Sequence, residues 1–125
     1  MYERGTMRYC WTTLQVRDLE ESIVFYQEIV GLPVKRRFSA GPSGEIAFLG
    51  EGETQIELFE SSGTPLEPGN AVTLGFATDS LDRTLAFIAD RGIGIESGPF
   101  QPNDHIRFFY ILDPNGVRIQ FSESL

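Results

Sequence analysis

The feature that most constrains this chain is that it reads twice, and an internal repeat decides architecture before any single residue does. The segment Val16 to Tyr26 returns as Thr78 to Ile88, with Leu19 matching Leu81, Ser22 matching Thr84, Ile23 matching Leu85 and Phe25 matching Phe87, each 62 positions on. Thr54 to Phe59 likewise resembles Val117 to Ser122, at a spacing of 63. A length of 125 residues allows one domain, or two small halves sharing one core. Two related halves fit both spacings better than one irregular fold.

Each half reads as a strand, a helix and three more strands. In the first, Arg8 to Val16 alternates and leads to Asp18, a helix cap with Glu21 three residues on as its capping-box partner. Leu19, Ile23, Tyr26 and Val30 recur at helical spacing, and Gly31 and Pro33 stop the helix. Strands are expected over Val34 to Phe38, Glu45 to Leu49 and Thr54 to Phe59, with Glu51-Gly52 as a tight hairpin between the last two. In the second half, Ala71 to Ala77 is a strand and Leu81, Leu85 and Ile88 form a helical stripe ending at Gly92. Strands over Ile93 to Glu96, Ile106 to Leu112 and Val117 to Phe121 follow, the last two joined by the turn Asp113-Pro114-Asn115-Gly116. Modules of about 7–61 and 71–123 result, linked by the Gly/Pro-rich stretch 62–70. Ser39 to Gly44 and Ser97 to Asn103 occupy matching loops, candidate rims of a pocket.

Counting residues narrows the chemistry. Ten basic against eighteen acidic residues leave a net charge of −8, which argues against nucleic-acid and anionic-membrane partners and favours a neutral or cationic small ligand. The single cysteine, Cys10, excludes a disulfide framework and reads as a small core residue. The single histidine, His105, excludes mechanisms that need two or three histidines from one chain. No apolar run reaches the roughly 20 residues of a membrane helix, and Met1 to Thr12 lacks a signal-peptide stretch, so a cytoplasmic location is expected. Lys35-Arg36-Arg37 reads as a solvated strand edge. Met7-Arg8-Tyr9 would serve as a start as well as Met1.

Strand alternation then divides the side chains into a helix side and a spare side. Leu14, Val16, Ile56 and Leu58 suit the helix side, leaving Trp11, Thr13, Gln15, Gln55, Glu57 and Phe59 opposite. In the second half Thr73, Arg118 and Gln120 are spare. Trp11, Glu57, Thr73 and Gln120 thus stand at repeat-related places, on faces that would line a concave site if the two half-sheets curve toward each other.

At this point the motifs carry a resemblance. Val16-Arg17-Asp18-Leu19 with Ser22, Phe25-Tyr26 and Gly31-Leu32, and then Asp113-Pro114-Asn115-Gly116 with Ile119-Gln120-Phe121, resemble the opening and closing signatures of the vicinal-oxygen-chelate superfamily. Glyoxalase I, bleomycin- and fosfomycin-resistance proteins and extradiol dioxygenases belong to it. The resemblance runs from about Met7 to Ser122. It implies an α+β fold of two βαβββ modules in tandem, a curved mixed sheet around a cleft, in a single domain over 1–125. It also implies a homodimer. Enzymes of the superfamily hold a divalent metal at four strand positions with His, Glu or Gln, and those positions carry over to Trp11, Glu57, Thr73 and Gln120. An indole, a hydroxyl and an amide beside one carboxylate are a poor donor set, so neither a metal nor a cofactor is expected, and metal-dependent glyoxalase I activity is not.

The function implied is binding of a small organic molecule of an antibiotic-like, cationic kind in an aromatic-lined cleft, with no catalytic residue assigned. The ligand-binding residues expected are Trp11, Thr13, Phe38, Glu57, Phe59, Thr73, Phe109 and Gln120, the aromatic ones stacking and the polar ones orienting. The alternative is a lyase, isomerase or dioxygenase-like enzyme with Glu57 as base or as part of a cryptic metal site. A third reading is a partner domain whose cleft is filled by its own Phe38 or Phe100.

Overall fold

In a computed structural model the described residues are 11–62 and 72–125. The chain divides into two compact units, Met1–Leu66 and Glu67–Leu125. The first contains β1 (Trp11–Gln15), α1 (Leu19–Val24), β2 (Val34–Ser39), β3 (Gly44–Leu49) and β4 (Gln55–Ser61). The second contains β5 (Thr73–Ala77), α2 (Leu81–Asp90), β6 (Ser97–Asn103), β7 (Ile106–Leu112) and β8 (Arg118–Ser124). The sheet orders are β1-β4-β3-β2 and β5-β8-β7-β6, so the βαβββ plan appears in both units, as the repeat requires. In each, the first strand runs parallel to the last and the remaining pairs are antiparallel.

Each sheet buries one face against its helix. In the first unit Leu14, Val16, Ala47, Leu49, Ile56 and Leu58 meet Leu19, Ile23, Phe25 and Tyr26 of the helical segment, all of them buried. In the second, Phe109, Ile111, Ile119 and Phe121 do the same beneath Leu81 and Ile88. The apolar spacing specified these faces, because a period of two along each strand puts every second side chain on the core side.

A carboxylate ties each helix to its sheet. Glu60, at the end of β4, accepts the backbone N–H of Leu19 at 2.6 Å, and Glu123, 63 positions on in β8, accepts that of Leu81 at 2.6 Å. Each satisfies one of the otherwise orphaned amides of a helix start and places negative charge at the positive end of the helix dipole. Asp18 and Ser80 cap the same ends, accepting from the amides of Glu21 (3.1 Å) and Arg83 (3.2 Å). The expected capping box is only half realised, because the Glu21 carboxylate is taken by Arg17 at 3.0 Å.

The first helix widens into π-helical turns over Phe25–Val30 and stops at Gly31, whose φ of 87° suits a residue without a Cβ. The Asp113 to Gly116 turn forms as expected: Asp113 Oδ1 accepts from the amides of Asn115 (2.7 Å) and Val117 (2.9 Å), which keeps this buried carboxylate satisfied. Between β3 and β4, the expected two-residue hairpin is instead a longer connection with a 3-10 turn over Gly52–Thr54.

One strand was misplaced. Ile93 to Glu96 is not a strand; β6 is Ser97–Asn103, the stretch read as a loop. Its prolines and glycine are tolerated because β6 is a sheet edge that pairs with β7 at only Ser97, Phe100 and Asn103. Cys10, the Met7 start and most of the 62–70 linker lie outside the described residues.

Replacing Glu60 by Ala is expected to lower the unfolding free energy by about 1–2 kcal/mol, the usual cost of losing a helix cap, and Glu123→Ala by a similar amount. Urea denaturation followed by far-UV circular dichroism measures both.

Candidate functional site

The face of each sheet away from its helix carries the chemistry. In the first unit, parallel pairing sets Thr13 beside Glu57, and the antiparallel strands set Phe48 beside Glu57 and Arg36 beside Phe48. A single row therefore crosses all four strands: Thr13, Glu57, Phe48, Arg36. Side chains directly opposite one another on one face are about 4.5–5.5 Å apart at Cβ, so each touches the next.

At the β1 end, the Trp11 indole N–H donates to Thr13 Oγ1 at 3.1 Å, and the Thr13 hydroxyl donates to Glu57 Oε1 at 2.5 Å. This relay satisfies the polar edge of the indole and holds one carboxylate oxygen of Glu57 on Thr13, leaving Oε2 as a further acceptor. Trp11 stands edge-on to the Phe48 ring at 5.1 Å, and Phe38 stacks on Phe48 at 6.3 Å with 15° between planes. The Arg36 guanidinium lies 4.3 Å above Phe48 and 5.6 Å from Phe38. Phe48 is only 2% exposed, whereas Trp11 and Phe38 are 39% and 41% exposed. The hidden ring is a base, and the two exposed ones are flanks. Phe59 is half-buried in the next row, where Gln15, Phe59, Ile46 and Phe38 pair in register.

In the second unit Gln120 faces Gly75 on one side and Tyr110 on the other. Its amide donates to the Tyr110 hydroxyl at 3.1 Å. A Cβ on Gly75 would stand 3.3 Å from Gln120 Oε1, so the glycine leaves the amide its room. Arg118 lies 4.0 Å above the Tyr110 ring and reaches Glu96 at 3.4 Å, so this arginine pairs with a carboxylate. Thr73 is exposed beside Arg118.

The structure brings Trp11, Thr13, Phe38, Glu57 and Phe59 onto one face of the first unit, and Thr73 and Gln120 onto the corresponding face of the second. Phe109 is a correction. It is fully buried on the helix side, 5.4 Å from Phe121, so its ring belongs to the core and offers no stacking surface. Its neighbours Phe108 and Tyr110 occupy the open face with Phe100, which lies 5.7 Å and 6.4 Å from them. Sequence reasoning missed Phe48, Arg36 and Tyr110. The signal for Phe48 was its place between Ala47 and Leu49, both core residues.

The four positions carried over as metal ligands do not fit a divalent ion. The Trp11 indole nitrogen keeps its proton and donates it to Thr13, Glu57 supplies the one anionic oxygen donor, and Thr73 and Gln120 are neutral. Among the described residues, no group of three or more His, Cys, Asp or Glu side chains is placed to hold a metal. His105 is exposed in the turn before β7, its amide held by Asn103 Oδ1 at 2.7 Å.

Residues 8–121 match the model of the Glyoxalase/Bleomycin resistance protein/Dioxygenase superfamily, and the chain belongs to that family. It is 36% identical to the uncharacterized protein YwbC of Bacillus subtilis over 118 residues, covering 88% of this chain and 92% of that one. It is 31% identical to a lactoylglutathione lyase of Haemophilus influenzae, covering 94% and 93%. The solved structure of TnmS3, an antibiotic binding protein from Streptomyces sp. CB03234, superposes with a TM-score of 0.78 at 22% identity, covering 98% of this chain and all of that one. That likeness establishes shared fold.

Replacing Thr13 by Val removes both hydrogen bonds of the relay while keeping its shape. The indole N–H resonance of Trp11, the chain's one tryptophan, is expected to move upfield in the proton spectrum as its acceptor is lost, with the backbone fingerprint otherwise intact.

Proposed function

We propose that this protein binds a small organic molecule on the aromatic open face of its first unit, without a metal ion. The observation that carries the reading is the pair of exposed flanks, Trp11 and Phe38, held against the buried ring of Phe48 with Glu57 oriented beside them. Ligand sites combine apolar and aromatic walls with a few placed polar groups, and this face has both. The net charge of −8 favours a cationic or neutral ligand at long range. The antibiotic binding protein supports the reading through fold alone.

A second reading has one specific support, the 31% identity to a lactoylglutathione lyase. In it Glu57 is a base in a lyase or isomerase reaction. The donor set described above weighs against a metal-assisted form of it, because Glu57 supplies the one anionic oxygen donor among the four carried-over positions. Lactoylglutathione lyase activity, read as thioester formed from glutathione and methylglyoxal, with stoichiometric metal in the purified protein would select this second reading.

Titrating aromatic amines of the antibiotic-like class against Trp11 fluorescence, with calorimetry in parallel, tests the first. Binders are expected to lose about tenfold in affinity in Trp11→Ala, the equivalent of about 1.4 kcal/mol. Affinity unchanged by Trp11→Ala for every binder overturns the site.

The reading extends to a cytoplasmic homodimer with neither nucleic-acid nor membrane partners. No helix among the described residues is long and apolar enough to cross a membrane. Sedimentation equilibrium is expected to return twice the chain mass of 14.0 kDa.

A further inference from the structure

The three basic residues of β2 have different fates. Lys35 pairs with Glu51 at 2.6 Å, and Arg37 pairs with Glu20 of α1, a bond that raises its pKa. Arg36 points to the opposite face and meets rings instead. Its guanidinium lies on Phe48 and Phe38, and among the described residues no carboxylate is bonded to it. A guanidinium packed against aromatic rings keeps N–H groups free to donate, in the planar fork that matches a carboxylate. It is exposed.

Glu57 stands in the same row, with Phe48 between. The two side chains arise from strands two places apart in the sheet, about 9–10 Å between strand axes. One carboxylate oxygen of Glu57 is held by Thr13, and the other is open to a donor. Opposite charges therefore stand on one face with Phe48 on the strand between them, and the rings of Trp11 and Phe38 are the apolar surface beside them. The relay from Trp11 fixes one end, and the stacked rings fix the other.

We infer that the ligand of this face is a small zwitterionic aromatic compound, its ammonium end on Glu57, its carboxylate on Arg36 and its ring against Trp11 and Phe38. The inference rests on the binding reading above and deepens it. A purely cationic ligand would use Glu57 and leave Arg36 facing like charge. A purely anionic one would meet Glu57 as a repelling neighbour. Only a molecule carrying both groups satisfies both ends, and charge-assisted hydrogen bonds at each end are the strong kind.

Three probes of one shape separate the possibilities: 4-(aminomethyl)benzoate, which carries both charges, benzylamine, which carries the cation, and benzoate, which carries the anion. The Trp11 indole N–H resonance reports binding of each to the full chain at millimolar concentration. The zwitterion is expected to bind at least fivefold tighter than either single-charge probe. Arg36→Gln is expected to abolish the advantage of the zwitterion over benzylamine, and Glu57→Gln its advantage over benzoate. Arg36→Lys, which keeps the charge and loses the planar fork, is expected to restore only part of it. Far-UV circular dichroism confirms that each variant is folded.

If benzylamine binds as tightly as 4-(aminomethyl)benzoate, or the ratio survives Arg36→Gln, the zwitterion inference is wrong while the aromatic site stands. The same holds if all three probes are silent but aromatic amines still quench Trp11 fluorescence. Silence from the probes and from the amines overturns the inference and the binding reading together.

Discussion

Everything in the first unit depends on the parity of its central strand. On β4, Ile56 and Leu58 are buried in the core and Glu60 reaches the start of α1, while Gln55, Glu57 and Phe59 alternate onto the open face. A slip of one residue would turn Glu57 into the core and send Glu60 to the other side, so the helix would lose the carboxylate on its first amide. The charged anchor of the fold and the charged group of the site are therefore set by one register, three positions apart. Unpaired carboxylates are costly in a core, which makes the wrong register expensive and the right one well specified.

The second unit repeats this logic with a different outcome. Glu123 anchors α2 as Glu60 anchors α1, and the edge strands close in the same way: the Val16 amide donates to the Phe59 carbonyl at 2.9 Å and the Thr78 amide to the Ser122 carbonyl at 2.8 Å. On the open faces the halves diverge. Both lay an arginine over an aromatic ring, Arg36 over Phe48 and Arg118 over Tyr110, yet Arg118 is answered by Glu96 and Arg36 by rings alone. Glu57 is replaced by Gln120, and Thr13 by Gly75. The duplicated scaffold is conserved within the chain in its core and its caps, and it is released at the residues that face outward.

That division also explains what the sequence made legible. The core, the caps and the repeat are written in periodicity and in cap residues, which are local, so the βαβββ plan and the burial of Leu14, Ile56, Leu58 and Ile119 followed from spacing. Trp11, Thr13, Glu57 and Phe59 were placed on the correct face by the same rule. It failed at Phe109, because Phe108-Phe109-Tyr110-Ile111-Leu112 is apolar throughout and carries no alternation to assign a face. Only the pairing of Phe109 with Phe121 settles it. It failed at β6 because an edge strand tolerates the prolines and glycine that punctuate a loop. Arg36 was hidden among three basic residues, and what distinguishes it is its register against Phe48, a contact between strands.

The internal bonding of the open face supports the proposed binding reading over metal-assisted chemistry. Lewis-acid catalysis needs donor atoms with lone pairs held open for a cation, and here the indole and hydroxyl spend their hydrogen bonds on one another and on Glu57. Such bonding freezes side chains before a ligand arrives, and a frozen site loses less rotamer freedom on binding. Trp11 and Glu57 are fixed through Thr13, and Arg36 and Phe38 through Phe48. Two polar ends are thus preset around rings that need not rearrange. On the proposed binding reading, a face organised in this way discriminates by the placement of charge on a flat molecule.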